Sequence, residues 1–299
     1  MKIFKHYRVY FLISLLFILP GVYSLLTRGL DLGIDFTGGS LLELQYGWQE
    51  GDRAEDLDAE KLRGFLGDAQ YQVVSVQSSG ENQVIVRTEE IDNQQKDELV
   101  SILKTKFADQ IEVRRFETIG PSLSRELLQK TLVAVVIVAL VITGYVWYQF
   151  HDLKFGVTAV LAMFHDSLIL LGAFSLLGQL FGIEVDVLFV TALLTTLSFS
   201  IHDTIVVFDR IRELIRLHPQ LTVRDLADVA VLETLGRSIN NSVTIILMLL
   251  AMYLLGGESI KHFALALLIG AVTGTYSSSF TAVPLLLEWE KWSGRRKKK

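Results

Sequence analysis

Three charged sites interrupt otherwise apolar stretches of this 299-residue chain: His165-Asp166, His202-Asp203 and Arg237. An ionisable side chain near the centre of a bilayer costs about 2.5–3.5 kcal/mol on insertion scales, so each is a candidate functional group. Asp203 stands first among them. Thr196 and Ser200 precede it by seven and three residues, spacings that put all three on one helix face as a polar stripe in an apolar helix. An ionised Asp203 needs a cation, and a neutral one needs surroundings that hold its proton. Arg237 is the nearest candidate partner, because both residues approach the same side of the membrane on consecutive spans. Such a pair can bind and release a proton. It can equally be a static bridge that fixes helix register, or an Arg237 that snorkels to the interface, and the residues do not separate these readings.

The neighbouring groups read as support. Asp166, at mid-span, suits hydrogen bonding to backbone or serine groups of adjacent helices. His165 and His202 read as packing or network residues, since the two lack the grouped N, O or S ligands of a metal site. Asn240, Asn241, Ser242 and Thr244 follow Arg237 as further polar groups. Two intramembrane aspartates also raise proteolysis within the bilayer, where paired carboxylates share a proton. Both stand in His-Asp pairs, however, and no Gly-x-Gly-Asp is present. A serine protease has less behind it, because the run at 275–279 brings no placed base. Gly270, Gly274 and Ser278 form a small-xxx-small ridge suited to close helix packing. No metal, cofactor or enzyme chemistry is expected, and no phosphate-binding loop is present.

These residues need membrane helices to place them. Half the residues (51%) are hydrophobic, which suits a chain whose solvent is largely lipid. Six apolar stretches approach the ~20 residues that a spanning helix requires: 7–26, 131–150, 155–177, 187–208, 238–255 and 263–287. Lys2, Lys5 and Arg8 precede the first, as in a signal sequence. Its length and the lack of an A-x-A site make it an uncleaved anchor. Lys and Arg concentrate at the N-terminus, between spans four and five, and in the tail ending Arg295-Arg296-Lys297-Lys298-Lys299. Both termini are therefore expected in the cytoplasm. Residues 27–130 hold 12 Lys/Arg against 20 Asp/Glu, a net of −8 within a total of −5, and are expected largely outside. A broad basic face for nucleic acid is excluded. The basic tail reads as a topology anchor before a lipid-binding site.

The outer segment has a β-α-β-β-α-β pattern. Strands are expected at 41–46, 71–77, 84–87 and 111–116, and helices at 58–66 and 92–107, the second capped by Asp92. Ser79-Gly80-Glu81-Asn82 marks a hairpin turn. That order is the ferredoxin-like split βαβ scaffold, which carries no function of its own. Asp35, Gly38 and Gly39 sit where the chain leaves the first span, as a bend or as a hinge for the outer domain.

In order along the chain stand Leu32-Gly33-Ile34-Asp35-Phe36-Thr37-Gly38-Gly39, Ile119-Gly120-Pro121-Ser122, His165-Asp166, Asp203-Thr204-Ile205-Val206-Val207-Phe208-Asp209-Arg210-Ile211-Arg212-Glu213 and Glu233-Thr234-Leu235-Gly236-Arg237-Ser238. Gly256-Gly257, Ile269-Gly270 and Gly274-Thr275-Tyr276-Ser277-Ser278 follow. Across nearly its whole length the chain resembles the SecF family, membrane subunits that work with SecD beside the bacterial Sec translocon. The resemblance implies half of a resistance-nodulation-division type bundle. Residues 1–30 would form the N-terminus and first helix, 31–125 the outer domain, 126–290 five further spans and 291–299 the basic tail. It also implies a SecD-like partner chain, the Sec channel, a translocating unfolded polypeptide, a lipid bilayer of the inner membrane, and protons as the driving species. Asp203 and Arg237 match the family's essential charged pair. The family commonly shows Gly-Tyr-Ser-x-Asn-Asp where this chain has Ser198-Phe199-Ser200-Ile201-His202-Asp203, so His202 puts a titratable ring in place of an amide. A proton-coupled exporter of small molecules and a non-transporting membrane scaffold are the alternative functions.

Overall fold

The computed structural model describes residues 3–46, 59–68, 72–78, 83–106 and 111–296. The turn expected at Ser79-Gly80-Glu81-Asn82, the ends of several expected elements between the first two spans (Asp58, Tyr71, Phe107), Lys2 and the Lys297-Lys298-Lys299 tail lie outside the described residues. Two compact units appear: Leu32–Leu132, and Met1–Asp31 together with Val133–Lys299.

In the first of these, α2 (Ile34–Thr37) and β1 (Gly39–Tyr46) are followed by α3 (Ala59–Asp68), β2 (Val73–Ser78), β3 (Gln83–Thr88), α4 (Asn93–Lys106) and β4 (Ile111–Ile119). The sheet is antiparallel in the order β2-β3-β1-β4, the ferredoxin-like arrangement that the sequence pattern predicts. Register follows from burial. Leu42 opposes Val86 and Leu44 opposes Val84, and all four turn inward against Leu62, Leu66, Leu99 and Leu103 of the helices. The cap at Asp92 is a reciprocal box: Asp92 Oδ1 accepts from the Gln95 backbone at 2.8 Å, and Gln95 Oε1 accepts from the Asp92 backbone at 2.9 Å.

The second unit is a helix bundle: α1 (Arg8–Thr27), α5 (Pro121–Phe150, from residue 133), α6 (Leu153–Phe181), α7 (Val187–Leu217), α8 (Val223–Leu255), α9 (Glu258–Phe280) and α10 (Ala282–Arg296). Among the described residues, six helical segments are long and apolar enough to cross a membrane. Asp152, Asp186 and Thr222 accept from the first-turn amides of α6, α7 and α8, which satisfies donors that lipid cannot. Gly182, with φ +64°, closes α6.

Between helices in lipid there is no hydrophobic driving force, so contacts depend on small side chains and close packing. A Cβ on Gly21 would lie 2.8 Å from the Gly172 Cα, and Ser24 bonds Ser175 at 2.7 Å beside that crossing of α1 and α6. A Cβ on Gly270 would overlap Thr196, and Gly274 lies against the Ser200 backbone, so α7 and α9 meet along the predicted small-residue ridge.

Two boundaries differ from the sequence reading. The sixth apolar run is not one helix, because it breaks at Thr281. Pro284 donates no hydrogen bond to the Phe280 carbonyl four residues back, and its ring crowds that group. The fifth run begins well before residue 238, since α8 extends back to Val223 as an amphipathic leg. There Asp228, buried and not predicted, accepts the Phe4 backbone N–H at 2.8 Å.

Candidate functional site

The two intramembrane aspartates have opposite environments. Asp166, on α6, is 5% exposed and fully engaged. Its Oδ2 accepts the hydroxyls of Ser200 on α7 and Ser277 on α9, each at 2.5 Å, and its Oδ1 lies 2.9 Å from His165 Nδ1. One carboxyl group therefore ties three helices together. The buried Nε2 of His165 has no partner among the described residues.

Asp203, on α7, is half-buried and makes no hydrogen bond or ion pair among the described residues. It lines a small cleft between α7, α8 and α9, together with His202, Asn241, Ser242, Gly274 and Thr275. The cleft holds about 30 Å³, room for a water or two. Thr275 closes one wall by donating to Ser242 Oγ at 2.6 Å. Asp203 is thus a carboxyl group left to whatever enters the cleft.

Arg237 is exposed on α8 and has no bonded partner among the described residues. It lines a neighbouring, wider pocket with Asp209, Arg210, Glu213 and Glu233. The two glutamates there are taken by Arg210, at 2.6 Å to Glu213 and 2.5 Å to Glu233. No Asp203–Arg237 ion pair within 4.0 Å occurs among the described residues, although α7 and α8 pack against each other.

The predicted polar stripe does not converge on Asp203. Ser200 turns to Asp166, and Thr196 bonds the carbonyl of Leu193 in its own helix at 2.8 Å. His202 and Asn241 do share the Asp203 cleft. Nor do the two aspartates form a protease-like dyad, because the Asp166 oxygens are occupied and Asp203 faces a different cleft. Among the described residues no three His, Asp or Glu side chains group as metal ligands. Sequence reasoning left out Ser277 and Thr275 as site residues. Their positions in a run of five hydroxyl residues gave no face, since which of them points inward depends on how α9 is rotated against α7.

In the sheet unit, Gly38 and Gly39 have φ of +77° and +108°. A Cβ on Gly39 would stand 2.6 Å from the Thr88 carbonyl oxygen, so both backbone angle and space require glycine. Gly39 also pairs with Ile119 at the edge of β1 and β4, which brings the two motif segments at 32–39 and 119–122 together. Asp35 lies in the short α2 helix between Gly33 and Gly38.

Comparison with known proteins agrees with this architecture. Residues 99–292 match the family "Protein export membrane protein SecD/SecF, C-terminal", and residues 23–47 match the "SecD/SecF GG Motif". The chain is 43% identical to a protein translocase subunit SecF from Thermobaculum terrenum, over 94% of this chain and 91% of that one. It is 39% identical to the SecF of Anaerolinea thermophila, over 96% and 93%. The crystal structure of SecDF from Thermus thermophilus, described as a translocon-associated membrane protein, superposes with a TM-score of 0.85 at 30% identity. That superposition covers 97% of this chain but 39% of the SecDF chain.

Proposed function

We propose that this chain, which belongs to the SecD/SecF family of protein export membrane proteins as a SecF-type subunit, couples proton entry at Asp203 to protein export. Members of this type are translocase subunits and not enzymes, and the chain is a multi-pass membrane protein. The observation that carries the proposal is the contrast between the two aspartates. A carboxyl group whose hydrogen bonds are all filled, as in Asp166, is a structural acceptor. One left unbonded in a water-sized membrane cleft, as in Asp203, gains or loses a proton without breaking the fold.

In the proposed cycle, ionised Asp203 draws in the Arg237 guanidinium as a charge-assisted pair. A proton arriving from outside neutralises Asp203 and frees Arg237, and release of the proton to the cytoplasm restores the pair. The unbonded geometry fits the protonated half of that cycle. Each proton crossing supplies about 2.3 kcal/mol per 100 mV, enough to bias a two-state element of a few kcal/mol. His202, at the cleft wall, and Asn241 across from it are placed to order water at Asp203.

The same reading assigns a SecD-like partner. Arg237, Asn240 and Asn241 lie exposed on α8, and α8 and α5 also present Val243, Leu247, Val136 and Leu140 outward. Apolar side chains are content in lipid, but an exposed arginine and two amides are costly there. A second six-span half covering α8 resolves that cost. Both termini then lie in the cytoplasm, with residues 27–130 outside. The outer domain moves an emerging unfolded polypeptide beside the Sec channel, swinging on the junction that leads into Asp35, Gly38 and Gly39.

The test is proton-gradient-dependent translocation by the SecD-paired complex reconstituted with the Sec channel. Asp203→Asn should remove the gradient dependence, and full dependence in that variant would overturn the proposal. A scaffold would show no proton flux, and a small-molecule exporter would show flux without polypeptide in transit.

A further inference from the structure

A basic pocket of about 630 Å³ opens in the helical unit where the amino-terminal turn, the start of α8 and the last helix α10 meet. Four fixed cations line it: Lys5, Arg8, Arg224 and Lys291. The one carboxylate in its wall among the described residues, Glu290, is held by Lys154 at 2.5 Å. Nearby Glu288 accepts the Tyr7 hydroxyl and stands 3.8 Å from both Arg8 and Lys291, so two cations share a single acid. Arg224 donates to the Phe4 carbonyl and lies 5.9 Å from the Tyr7 ring, with no carboxylate partner among the described residues. Lys5 is exposed and makes no bond among the described residues. The pocket therefore has a surplus of positive charge with donors left over.

Its other wall is apolar. Val9 lines the pocket and begins a stripe along α1 that continues through Leu12, Leu16, Leu19 and Tyr23, each between 48% and 72% exposed. The 3- and 4-residue steps keep these side chains on one face. A cluster of cations at the end of a spanning helix, joined to an uncovered apolar stripe running along that helix, is complementary to an acidic head with hydrocarbon attached. A soluble anion would use the cations and leave the stripe without a role.

We propose that this pocket binds the phosphate headgroup of an anionic phospholipid, with its acyl chains laid along the α1 stripe. Lys5 and Arg224 supply the free donors, and Arg8 and Lys291 shift from the shared Glu288 to the phosphate.

The test uses the purified full chain in detergent, titrated with dimyristoyl phosphatidylglycerol, dimyristoyl phosphatidylcholine or glycerol 3-phosphate, with bound adducts counted by native mass spectrometry. Phosphatidylglycerol should bind at least about tenfold more tightly than phosphatidylcholine, while glycerol 3-phosphate binds negligibly. Each cation near a membrane surface contributes about fivefold in affinity for anionic lipid, so Lys5→Gln with Lys291→Gln should weaken phosphatidylglycerol about twenty-five-fold. Arg216→Gln, which removes an exposed cation outside the pocket, should leave binding unchanged. Equal affinity for the two lipids, wild-type affinity in the double variant, or an equal loss in Arg216→Gln overturns the proposal. Glycerol 3-phosphate binding as tightly as phosphatidylglycerol would make the pocket a soluble-phosphate site instead.

Discussion

Ser277 on α9 donates its hydroxyl to Asp166 Oδ2 on α6 at 2.5 Å, across 111 residues of sequence. Because Ser200 of α7 donates to the same oxygen, the charge-bearing helix α7 is clamped between its neighbours one turn from Asp203. The clamp gives Asp203 a fixed frame, so in the proposed cycle a change in its protonation would be felt by α8 instead of being lost in a rotation of α7.

Removing the acceptor should therefore cost stability. Asp166→Ala orphans the buried Ser200 hydroxyl and the His165 ring, and leaves Ser277 only the Gly274 carbonyl of its own helix at 3.3 Å. A lost partner costs about 1 kcal/mol or more in water-soluble cores, but hydrogen bonds between membrane helices average about 0.6 kcal/mol because other partners are found. The expected total is about 2–3 kcal/mol, read as a lowered unfolding midpoint of the purified protein. Asp166→Asn keeps an oxygen for both serines. It turns an amide N–H toward His165 and moves that ring's proton to the buried, unpartnered Nε2. A loss of about 1 kcal/mol is expected.

Asp203→Asn and Arg237→Met should behave in the reverse sense. Neither residue holds a bond among the described residues, so unfolding midpoints should stay within about 0.5 kcal/mol of wild type. Gradient-driven translocation should be lost in both. Stable protein with full gradient-driven activity would contradict the assigned roles.

The α1–α6 crossing should tolerate no side chain. Gly172→Val places atoms in the Gly21 backbone, and overpacking of this kind costs about 1–3 kcal/mol. The chain has no cysteine, so Ser24→Cys with Ser175→Cys gives a background-free report. The two hydroxyls lie 2.7 Å apart, so a disulfide should form readily in that variant and poorly once Gly172→Val is added.

Gly39→Ala forces a methyl toward the Thr88 carbonyl at φ +108°. Backbone strain alone costs about 1–3 kcal/mol. Amides of β1 and β3 in the full chain should exchange with solvent correspondingly faster, while those of α6 and α7 keep their protection. Unchanged exchange in β1 would show that this glycine is replaceable.

Much of this protein follows from one-dimensional patterns. Runs of about 20 apolar residues leave little choice but a spanning helix, because lipid offers no partner for an unpaired backbone group. Alternation and turn residues likewise specify the β-α-β-β-α-β order, which the antiparallel sheet realises with Leu42 and Leu44 inward. Charges in the apolar runs also name themselves, since Asp166 and Asp203 are rare enough there to attract notice. Helix boundaries were less legible: the run through residues 263–287 is continuous in hydropathy, and its break at Thr281 depends on a backbone conflict at Pro284.

What the sequence left open was which polar groups meet. Thr196, Ser200 and Asp203 share a face by spacing, yet a helix face is about 100° wide and neighbours divide it. Ser200 goes to Asp166, while Asp203 opens on the cleft with His202 and Asn241. That division is set by the rotation of α7 against α9, which the close approach of Gly270 and Gly274 fixes, and no spacing within α7 encodes it. The sequence by itself determined that this chain has membrane-spanning helices, an acidic α+β segment after the first of them and two aspartates within apolar runs. Only the tertiary structure decided that one aspartate is saturated and the other unbonded, because hydrogen-bond saturation belongs to three helices at once.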